Sequence, residues 1–321
     1  MTPEELRGRR VLVLGAGLLG SAVAARAHTA GADLVCADLD AERARTSAER
    51  AGGQWLRLDL ADRAATLSVV RSVGPDVVVH AAGRLAAGSA EDASRLMTGT
   101  ASAAAHLAEA AVTSGVSRVL LLSSLGVYGA PAGLRAGGPA ATAEAAPTRP
   151  VTPYGAAKAS AEAILSGYCA GTGTTVRIGR LSGVYGPGAR PGGGWMAGGL
   201  LRLLALHLTG RPITVPPALH DREYLHVDDA ATALVLLAAA PRDIPPVVNI
   251  GTGRLVSATE LAAAFTALGA TVRGGRDERP GPTARRPLDV STAARALGFT
   301  ARVTLHDGLA AWCARLRKEG P

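Results

Sequence analysis

The chain of 321 residues contains few cysteines, few aromatic residues and no long apolar segment. Its three cysteines, Cys36, Cys169 and Cys313, lie far apart and lack C-x-x-C spacing, which argues against a disulfide framework or a zinc site. We therefore expect buried thiols, a reducing cytoplasm and no bound metal. Only ten aromatic side chains are present, so the core must be built from small aliphatic side chains.

The chain is basic, with a formal net charge of +8 and a pI near 10.1. Its arginines are dispersed, and no basic run is interleaved with aromatic residues, which argues against nucleic-acid binding. The positive charge fits either a groove for an anionic substrate such as a diphosphate or a solvated arginine-rich surface. No segment supplies the roughly 20 apolar residues of a membrane helix, so we expect a soluble cytoplasmic protein that does not bind membranes.

Short runs rich in Val, Leu and Ile alternate with alanine-rich stretches of helix length. This alternation predicts an α/β fold, a doubly wound parallel Rossmann sheet with helices on both faces, and a smaller mixed α/β substrate domain toward the C-terminus. We expect strands at residues 11–14, 34–37, 55–58, 77–80, 119–122, 175–178 and 247–250, and helices at 18–29, 41–51, 61–72, 93–114, 258–268 and 305–318.

The predicted dinucleotide-binding domain comprises residues 8–185 and 223–251, and the predicted substrate domain comprises residues 186–222 and 252–321. Two stretches rich in Gly, Pro and Ala, residues 130–152 and 186–199, lack the periodicity of core elements. They fit either active-site loops or surface insertions without function.

A glycine-rich turn, Gly15-Ala-Gly17-Leu-Leu-Gly20, follows the first predicted strand and opens the first helix. Glycines at this spacing permit a tight turn and let the backbone approach a pyrophosphate, which then meets the helix N-terminus. The context predicts a cofactor site that includes Gly15, Gly17, Leu18, Leu19 and Gly20.

Acidic and small residues at the ends of the next strands extend this predicted cofactor site. Asp38 lies about 20 residues further on, where a carboxylate accepts hydrogen bonds from ribose hydroxyls and repels a 2′-phosphate. NAD is therefore favoured, while Arg43 and Arg45 leave NADP as an alternative. Asp59 and Leu60 fit either a contact to the adenine edge or an ordinary helix cap.

The fourth strand ends in His80 followed by Ala81, Ala82 and Gly83. Small residues are needed where the backbone runs close to a bound dinucleotide, so we place Ala81, Ala82 and Gly83 beside the cofactor. His80 itself is interpreted as structural.

Tyr154 and Lys158 are four residues apart on a predicted helix and therefore project from the same face. At this spacing the Lys158 charge is expected to favour the phenolate and to lower the pKa of Tyr154 from about 10 toward neutrality. A phenol tuned in this way serves as general acid or base. Because such a pair also arises by chance, its meaning depends on the neighbouring motifs.

Several further motifs occur in a fixed order along the chain. They are Val79-His-Ala-Ala-Gly83, Leu122-Ser-Ser124-Leu-Gly-Val-Tyr-Gly129, Tyr154 to Lys158 with Glu162 beyond, Arg180-Leu-Ser-Gly-Val-Tyr-Gly-Pro-Gly188, Arg222-Glu-Tyr-Leu-His-Val-Asp-Asp229 and Asn249-Ile-Gly-Thr-Gly253. Together they resemble the extended short-chain dehydrogenase/reductase family, the NAD-dependent sugar epimerase/dehydratase group, over nearly the whole chain.

The resemblance implies a role for each matching residue. Ser124 would hydrogen-bond the reacting oxygen, Tyr154 would transfer the proton, and Lys158 would hold the nicotinamide ribose. Arg222 matches a position that binds the substrate diphosphate, although a salt bridge to Asp221, Glu223 or Asp228 is an alternative. Gly183, Arg190 and Arg285 are also placed on the substrate side. A homodimer formed through two helices, one carrying Tyr154 and Lys158, is implied as well.

Some positions depart from the family pattern. The usual Thr-Gly before the glycine turn is Val13-Leu14, and Leu96 and Gly183 stand where the family has asparagines. Leu125-Gly126 stands where 4,6-dehydratases carry an Asp-Glu pair. Because elimination of water needs an extra acid and base, these residues argue against a dehydratase.

We therefore predict an NAD-dependent epimerase or oxidoreductase that acts on a secondary alcohol or ketone carbon of a nucleotide-linked sugar. A ketosugar reductase that uses NADH or NADPH is the alternative within the same class. An alternative of another class is a regulator that senses NAD or NADP without catalysis. The sequence does not name the sugar, the nucleotide or the carbon.

Overall fold

The computed structural model describes residues 6–83, 89–129, 141–190, 195–273 and 286–319. Seven strands within these ranges form one parallel sheet: β1 (Arg10–Leu14), β2 (Asp33–Asp38), β3 (Gln54–Arg57), β4 (Val77–His80), β5 (Arg118–Ser124), β6 (Thr175–Leu181) and β9 (Val247–Ile250). Their order across the sheet is β3-β2-β1-β4-β5-β6-β9. The predicted Rossmann-like α/β fold is confirmed.

Helices cover both faces of this sheet. In chain order they are α1 (Leu18–Thr29), α2 (Ala41–Ala51), α3 (Arg63–Val73), α4 (Ala90–Thr113), α5 (Pro153–Cys169), α6 (Trp195–Leu208), α7 (Val227–Ala239), α8 (Ala258–Ala267), α9 (Ser291–Leu297) and α10 (Leu305–Glu319). Val11 and Val13 of β1 belong to one hydrophobic cluster, while Leu12 and Leu14 belong to a second cluster on the opposite face. Two covered faces explain the continuous apolar runs of the strands.

The predicted elements agree with the structure except at a few ends. α3 begins at Arg63 rather than at residue 61, because the Asp62 side chain accepts a hydrogen bond from the Ala65 N–H and caps the helix. The predicted loop over residues 186–199 is wrong from residue 195 onward, where α6 begins. Glycine in this helix permits close packing, since a Cβ at Gly199 would lie 3.2 Å from Leu219.

A second, smaller sheet pairs β7 (Gly183–Tyr185) with β8 (Tyr224–His226) in parallel. Beside it a third hydrophobic cluster combines residues of α6, α8 and α10, with Trp312 and Phe265 buried at its centre. α9 packs elsewhere, because Ala293 and Leu297 join a cluster of the main sheet. The division into two domains stays a prediction. No helix in the described ranges is both long and apolar enough to span a membrane.

Glu223, a buried residue next to β8, ties the small sheet to two loops. One carboxylate oxygen accepts hydrogen bonds from the N–H groups of Thr252 and Gly253 at 2.6 and 2.8 Å, and the other accepts one from the Leu288 N–H at 2.9 Å. Burial raises the pKa of this carboxyl, and the backbone donors act against that rise. Gly251 makes room for the carboxylate, because a Cβ there would lie 2.0 Å from Glu223 Oε1.

Gly251→Ala is therefore expected to destabilise the fold by about 1–3 kcal/mol, the usual cost of overpacking a buried site. Gly99→Ala in α4 is the matched control, since a Cβ there meets nothing within 4 Å. The control should be neutral or stabilising by about 1 kcal/mol, because alanine favours the helix. Urea unfolding measures both, and equal midpoints for the two variants would contradict this role of Gly251.

Candidate active site

The glycine turn lies between β1 and α1 and presses against the end of β4. Gly15 adopts a φ of +99°, and a Cβ there would lie 2.5 Å from the Ala82 nitrogen. A Cβ at Gly20 would lie 1.7 Å from the Gly15 carbonyl oxygen, whereas one at Gly17 would meet nothing within 4 Å. Gly17 begins α1 without any side-chain cap, which leaves the first-turn N–H groups for an anion.

Asp38 at the end of β2 holds this turn in place. Its Oδ2 accepts a hydrogen bond from the Ala16 N–H at 2.6 Å, and its Oδ1 accepts one from the Asp40 N–H at 2.9 Å. The side chain is only partly buried. Asp38 thus shapes the glycine turn, a structural role that the sequence analysis did not assign to it, and the contact to a ribose stays a prediction.

The two arginines near Asp38 are engaged by carboxylates. Arg43 forms an ion pair with Asp40 at 3.2 Å, and Arg45 pairs with Glu42 and Glu49 at 2.7 and 2.8 Å. Their charges are already balanced locally, which weakens the case for a 2′-phosphate at this point.

The remaining predicted cofactor residues fall into two groups. Asp59 is exposed and accepts a hydrogen bond from the Ala61 N–H at 2.9 Å, while buried Leu60 places its carbonyl oxygen 2.9 Å from His106 Nδ1. Asp59 therefore organises a turn, although the cap of α3 is Asp62. Ala81 and Ala82 lie against the glycine turn, since side chains at its first and last glycines would collide with them.

Ser124 and Tyr154 meet where the end of β5 contacts the first turn of α5. The contact is backbone against backbone, because a Cβ at Gly155 would lie 2.3 Å from the Gly126 carbonyl oxygen. The Ser124 side chain lies close enough to Tyr154 to lower the pKa of its phenol, and the Ser124 Oγ accepts a hydrogen bond from the Gly126 N–H at 3.1 Å. The structure thus brings the two predicted hydroxyl groups together.

Lys158 lies one turn further along α5 and is buried, with 6% of its surface exposed. Its Nζ donates a hydrogen bond to the Leu122 carbonyl at 2.8 Å and lies 6.0 Å from the centre of the Tyr154 ring. A Cβ at Gly83 would lie 3.5 Å from this nitrogen. The structure therefore places Lys158 between the two hydroxyl groups and the end of β4.

Burial dominates the proton affinities of this cluster. It raises the pKa of Tyr154 to about 12 against the opposing hydrogen bond from Ser124, and it lowers the pKa of Lys158 to about 8 against the opposing charge of Glu162. Burial, aided by the Lys158 charge, also lowers the pKa of His80 to about 3. The predicted lowering of the Tyr154 pKa by Lys158 is wrong for this arrangement, because desolvation of the phenolate raises the pKa and the opposing influence comes from Ser124 rather than from Lys158.

A buried polar network behind Lys158 contains residues to which the sequence analysis gave no role. Glu162 on α5 accepts hydrogen bonds from the Ser123 hydroxyl and, through both of its oxygens, from Arg180 on β6. Arg180 also donates to the Tyr128 hydroxyl at 3.0 Å, and Tyr128 donates to Asn249 Oδ1 at 2.7 Å. The four-residue spacing from Lys158 to Glu162 is the sequence feature that could have indicated a role for Glu162.

The residues predicted to bind the substrate belong to separate segments of the chain. Arg222 donates its Nε–H to the Ala218 carbonyl at 3.0 Å, and its backbone pairs with Val256. The Glu223 carboxylate, one of its predicted partners, is held instead by backbone N–H groups. Arg190 is exposed, and Arg285 lies outside the described residues.

Comparison with known proteins matches residues 11–251 to the model of the NAD dependent epimerase/dehydratase family. The chain belongs to this family. It is 31% identical to the dTDP-6-deoxy-L-talose 4-dehydrogenase (NAD(P)(+)) of Kitasatospora kifunensis, with 96% of each chain covered. The predicted membership of the extended short-chain dehydrogenase/reductases, and the prediction of an enzyme, are confirmed.

Two solved structures of similar proteins extend the comparison. MoeE5 in complex with UDP-glucose and NAD is 29% identical, with a TM-score of 0.78 over 97% of this chain and 99% of that one. The UDP-glucose 4-epimerase of Thermus thermophilus in complex with NAD is 28% identical, with a TM-score of 0.79 over 96% of this chain and 99% of that one.

Leu96 and Gly183, two positions at which this chain differs from the epimerase/dehydratase family pattern, lie in apolar packing. Leu96 is buried in α4. A Cβ at Gly183 would lie 1.7 Å from Met196 Cε and 2.7 Å from the Glu223 carbonyl oxygen, so α6 and the backbone occupy the space of a side chain. A side chain at Gly183 is therefore excluded by packing, and any contact it makes with substrate must come from its backbone.

The departure at Leu125-Gly126 lies beside Ser124 and Tyr154. A Cβ at Gly126 would lie 3.4 Å from Ser124 Oγ and 3.8 Å from Tyr154 Cδ1, which is ordinary van der Waals contact. A side chain at residue 126 would therefore border the Ser124 hydroxyl and the Tyr154 ring. Glycine supplies neither an acid nor a base there.

Gly155→Ala is expected to lower kcat by about 100-fold, because the added methyl group forces α5 away from Gly126 and a displacement of about 1 Å suffices for such a loss. Gly167→Ala in the same helix is the control, since its Cβ would meet nothing within 4 Å. Steady-state kinetics and circular dichroism would be recorded for both. Wild-type turnover of a folded Gly155→Ala variant would show that this contact does not align the site.

Proposed function

We propose that this chain binds NAD and moves a hydride between the nicotinamide and a secondary alcohol or ketone carbon of a nucleotide-linked sugar. The observation that carries the proposal is the contact of Ser124 with Tyr154 beside buried Lys158, at the end of the sheet where the glycine turn lies. In doubly wound sheets, ligands bind at this carboxyl end of the strands.

The residues present fit a dinucleotide. The uncapped start of α1 and the open space at Gly17 suit a pyrophosphate, and Asp38 suits the adenosine ribose. Bound NAD supplies the hydride acceptor, and as NADH the donor. Lys158 would hold the nicotinamide ribose through its ammonium group.

Ser124 and Tyr154 would bind the oxygen of the reacting carbon. Tyr154 has a pKa of about 12 and is therefore protonated at neutral pH, which suits proton donation to a ketone oxygen. In the opposite direction its phenolate must accept the alcohol proton, and the positive charge of Lys158 would stabilise that phenolate. Gly126 adds no acid or base, so elimination of water is not part of the proposal.

Several observations favour NAD over NADP. Asp38 presents a carboxylate at the end of β2, and Arg43 and Arg45 are paired with carboxylates of their own helix region. A 2′-phosphate would meet one negative charge and two cations that are already neutralised. NADP stays the alternative, since the name of the Kitasatospora relative includes both cofactors.

The substrate is proposed to be a nucleoside diphosphate sugar. UDP-glucose is bound by MoeE5, and a UDP-glucose epimerase and a dTDP-sugar dehydrogenase are among the similar proteins. Arg222, Arg190 and Arg285 are proposed to contact its phosphates, because a guanidinium fork matches phosphate oxygens.

Epimerase and ketoreductase use the same set of residues and differ in how the cofactor is retained. An epimerase returns the hydride to the opposite face of a transient ketone and keeps its NAD. A reductase exchanges the cofactor in every turnover. An NAD-sensing regulator would bind the cofactor and show neither reaction.

Heating the purified protein and identifying the released molecules tests the proposal directly. Released NAD together with activity on dTDP- or UDP-sugars supports an epimerase, whereas an empty protein that oxidises NADH with a ketosugar supports a reductase. Absence of nicotinamide affinity would exclude both. NAD affinity without turnover of any sugar nucleotide tried would support the regulator.

Tyr154→Phe is expected to reduce kcat/KM by about 10²–10⁴-fold, the usual contribution of general acid–base catalysis, because the proton donor is lost. Its affinity for NAD, measured by calorimetry, should stay within about twofold. Tyr168→Phe, an exposed tyrosine on the same helix, is the control and should keep wild-type turnover. Wild-type turnover by Tyr154→Phe on the true substrate would refute the mechanism.

The protein is also proposed to be a cytoplasmic homodimer that associates through α4 and α5. Met97 on α4 and Tyr168 on α5 are 42% and 48% exposed, so each of the two helices offers a large apolar side chain to a partner. Cys36, Cys169 and Cys313 are free and buried, as expected for a reducing compartment.

Tyr168→Glu is expected to shift the mass in solution from dimer toward monomer, because it places a charge in the proposed interface. Trp55→Glu changes an exposed aromatic residue on the edge strand β3 and should leave the dimer intact. Sedimentation equilibrium distinguishes the two. A wild-type protein that sediments as a monomer would contradict the dimer outright.

A further inference from the structure

Lys158 has an acidic neighbour on its own helix. Lys158 and Glu162 are one turn apart on α5, and each residue is only 6% exposed. Residues at this spacing face the same side of a helix. Lys158 and Glu162 are therefore both buried on the same face of α5, behind the candidate active site.

The Glu162 carboxylate has a fixed orientation. Arg180 approaches it with Nε at 3.1 and 3.2 Å from the two oxygens and with Nη2 at 2.6 Å from Oε2. The Ser123 hydroxyl donates to Oε1. A bidentate fork and a third donor leave the carboxylate little freedom to rotate.

Arg180 is anchored in turn. Its Nη1 donates to the Tyr128 hydroxyl at 3.0 Å and to the Glu144 carbonyl at 3.1 Å. Tyr128 ends the short 3-10 helix that follows Ser124. The orientation of Glu162 is therefore coupled to the turn that carries the catalytic serine.

The groups around Lys158 define its charge balance. Tyr154 and Glu162 face it from α5, His80 approaches from β4, and Arg180 lies beyond Glu162 on β6. His80 is neutral at physiological pH, since its pKa is about 3, and Tyr154 is neutral because its pKa is about 12. Glu162 thus supplies the negative charge that opposes the burial of Lys158.

We propose that Glu162, oriented by Arg180 and Ser123, is a positioning residue that keeps the buried Lys158 ammonium charged at neutral pH. What the charged Lys158 does rests on the proposed function, namely holding the nicotinamide ribose and stabilising the Tyr154 phenolate. The charge itself is a property of the protein alone, so it is testable without cofactor or substrate.

The small number of lysines in the chain allows the protonation of Lys158 to be measured without overlapping signals. Lys158 and Lys318 are the only lysines in the sequence. Lysine labelled with ¹³C and ¹⁵N therefore gives two side-chain NMR signals, and Lys318→Arg assigns them. The pH titration of the remaining signal reports the protonation of Lys158 directly.

Glu162→Gln keeps the shape of the side chain and removes its charge. Lys158 is expected to titrate at about 8 in the wild type and about 1 pH unit lower in the variant, because loss of the Glu162 charge leaves the effect of burial unopposed. Glu109→Gln, which removes one partner of the surface pair with Arg63, should leave the Lys158 titration unchanged. An unchanged titration in folded Glu162→Gln would overturn the proposal.

Glu162→Asp provides a second variant in case the glutamine variant does not fold. It keeps the negative charge, but the shorter side chain holds that charge further from Lys158. The pKa of Lys158 should therefore lie below that of the wild type and above that of the glutamine variant. A folded aspartate variant that titrates as the wild type does would also contradict the proposal. Thermal unfolding of each variant establishes that it is folded.

Loss of the Glu162 charge is also expected to shift the pH dependence of kcat/KM in one direction. Lys158 is charged below its pKa, so a lower pKa moves the alkaline limb of kcat/KM to lower pH and leaves the rate below about pH 6 close to that of the wild type. A purely structural loss would lower the rate at every pH instead. If the NMR titration shifts while Tyr154→Phe stays fully active, the charge proposal holds and the proposed function fails.

Discussion

The buried ion pair between Arg180 and Glu162 connects the parts of the candidate site. Taking two charges out of water is costly, and the cost is recovered only when the geometry is good and further hydrogen bonds satisfy the remaining donors and acceptors. Here the carboxylate receives both arms of the guanidinium and the Ser123 hydroxyl, while Arg180 also reaches Tyr128 and the Glu144 carbonyl. Strand β6, helix α5 and the turn after Ser124 therefore share one rigid polar contact.

Burial also gives neighbouring groups of the candidate site very different pKa values. Tyr154, Lys158 and His80 titrate at about 12, 8 and 3, although all lie within one small region. Each shift has the sign expected when water is removed from a charged form. At neutral pH the cluster consists of a protonated phenol, an ammonium and a neutral imidazole, which is a combination suited to donating a proton to a carbonyl oxygen.

The departures from the family pattern have physical reasons that affect different parts of the site. At Gly183 the backbone of Glu223 and the side chain of Met196 leave no room for a side chain, so the substrate side is rebuilt around apolar packing. At Gly126 a side chain would fit and would touch Ser124 and Tyr154. The first departure concerns the packing of α6 against β7, and the second concerns the space beside Ser124 and Tyr154.

Local pattern alone was enough for much of this protein. The alternation of apolar runs and helices and the glycine turn after β1 predicted the parallel sheet, because strand and helix periodicity and turn chemistry are properties of neighbouring residues. The resemblance of the ordered motifs to a known family supplied the family and the set of Ser124, Tyr154 and Lys158. The start of α3 was missed although its cap, Asp62, is local in sequence, and α6 was missed because a helix that contains glycine depends on packing against distant partners such as Leu219.

Only the tertiary structure decided the electrostatics and the supporting contacts. Sequence spacing predicted that Lys158 lowers the pKa of Tyr154, but burial reverses that shift, and burial is a property of the whole fold. Glu162 and Arg180 are 18 residues apart in sequence and become partners because α5 packs against β6. The family motifs therefore indicate the class of reaction, whereas the charge state and alignment of Ser124, Tyr154 and Lys158 are set by long-range packing.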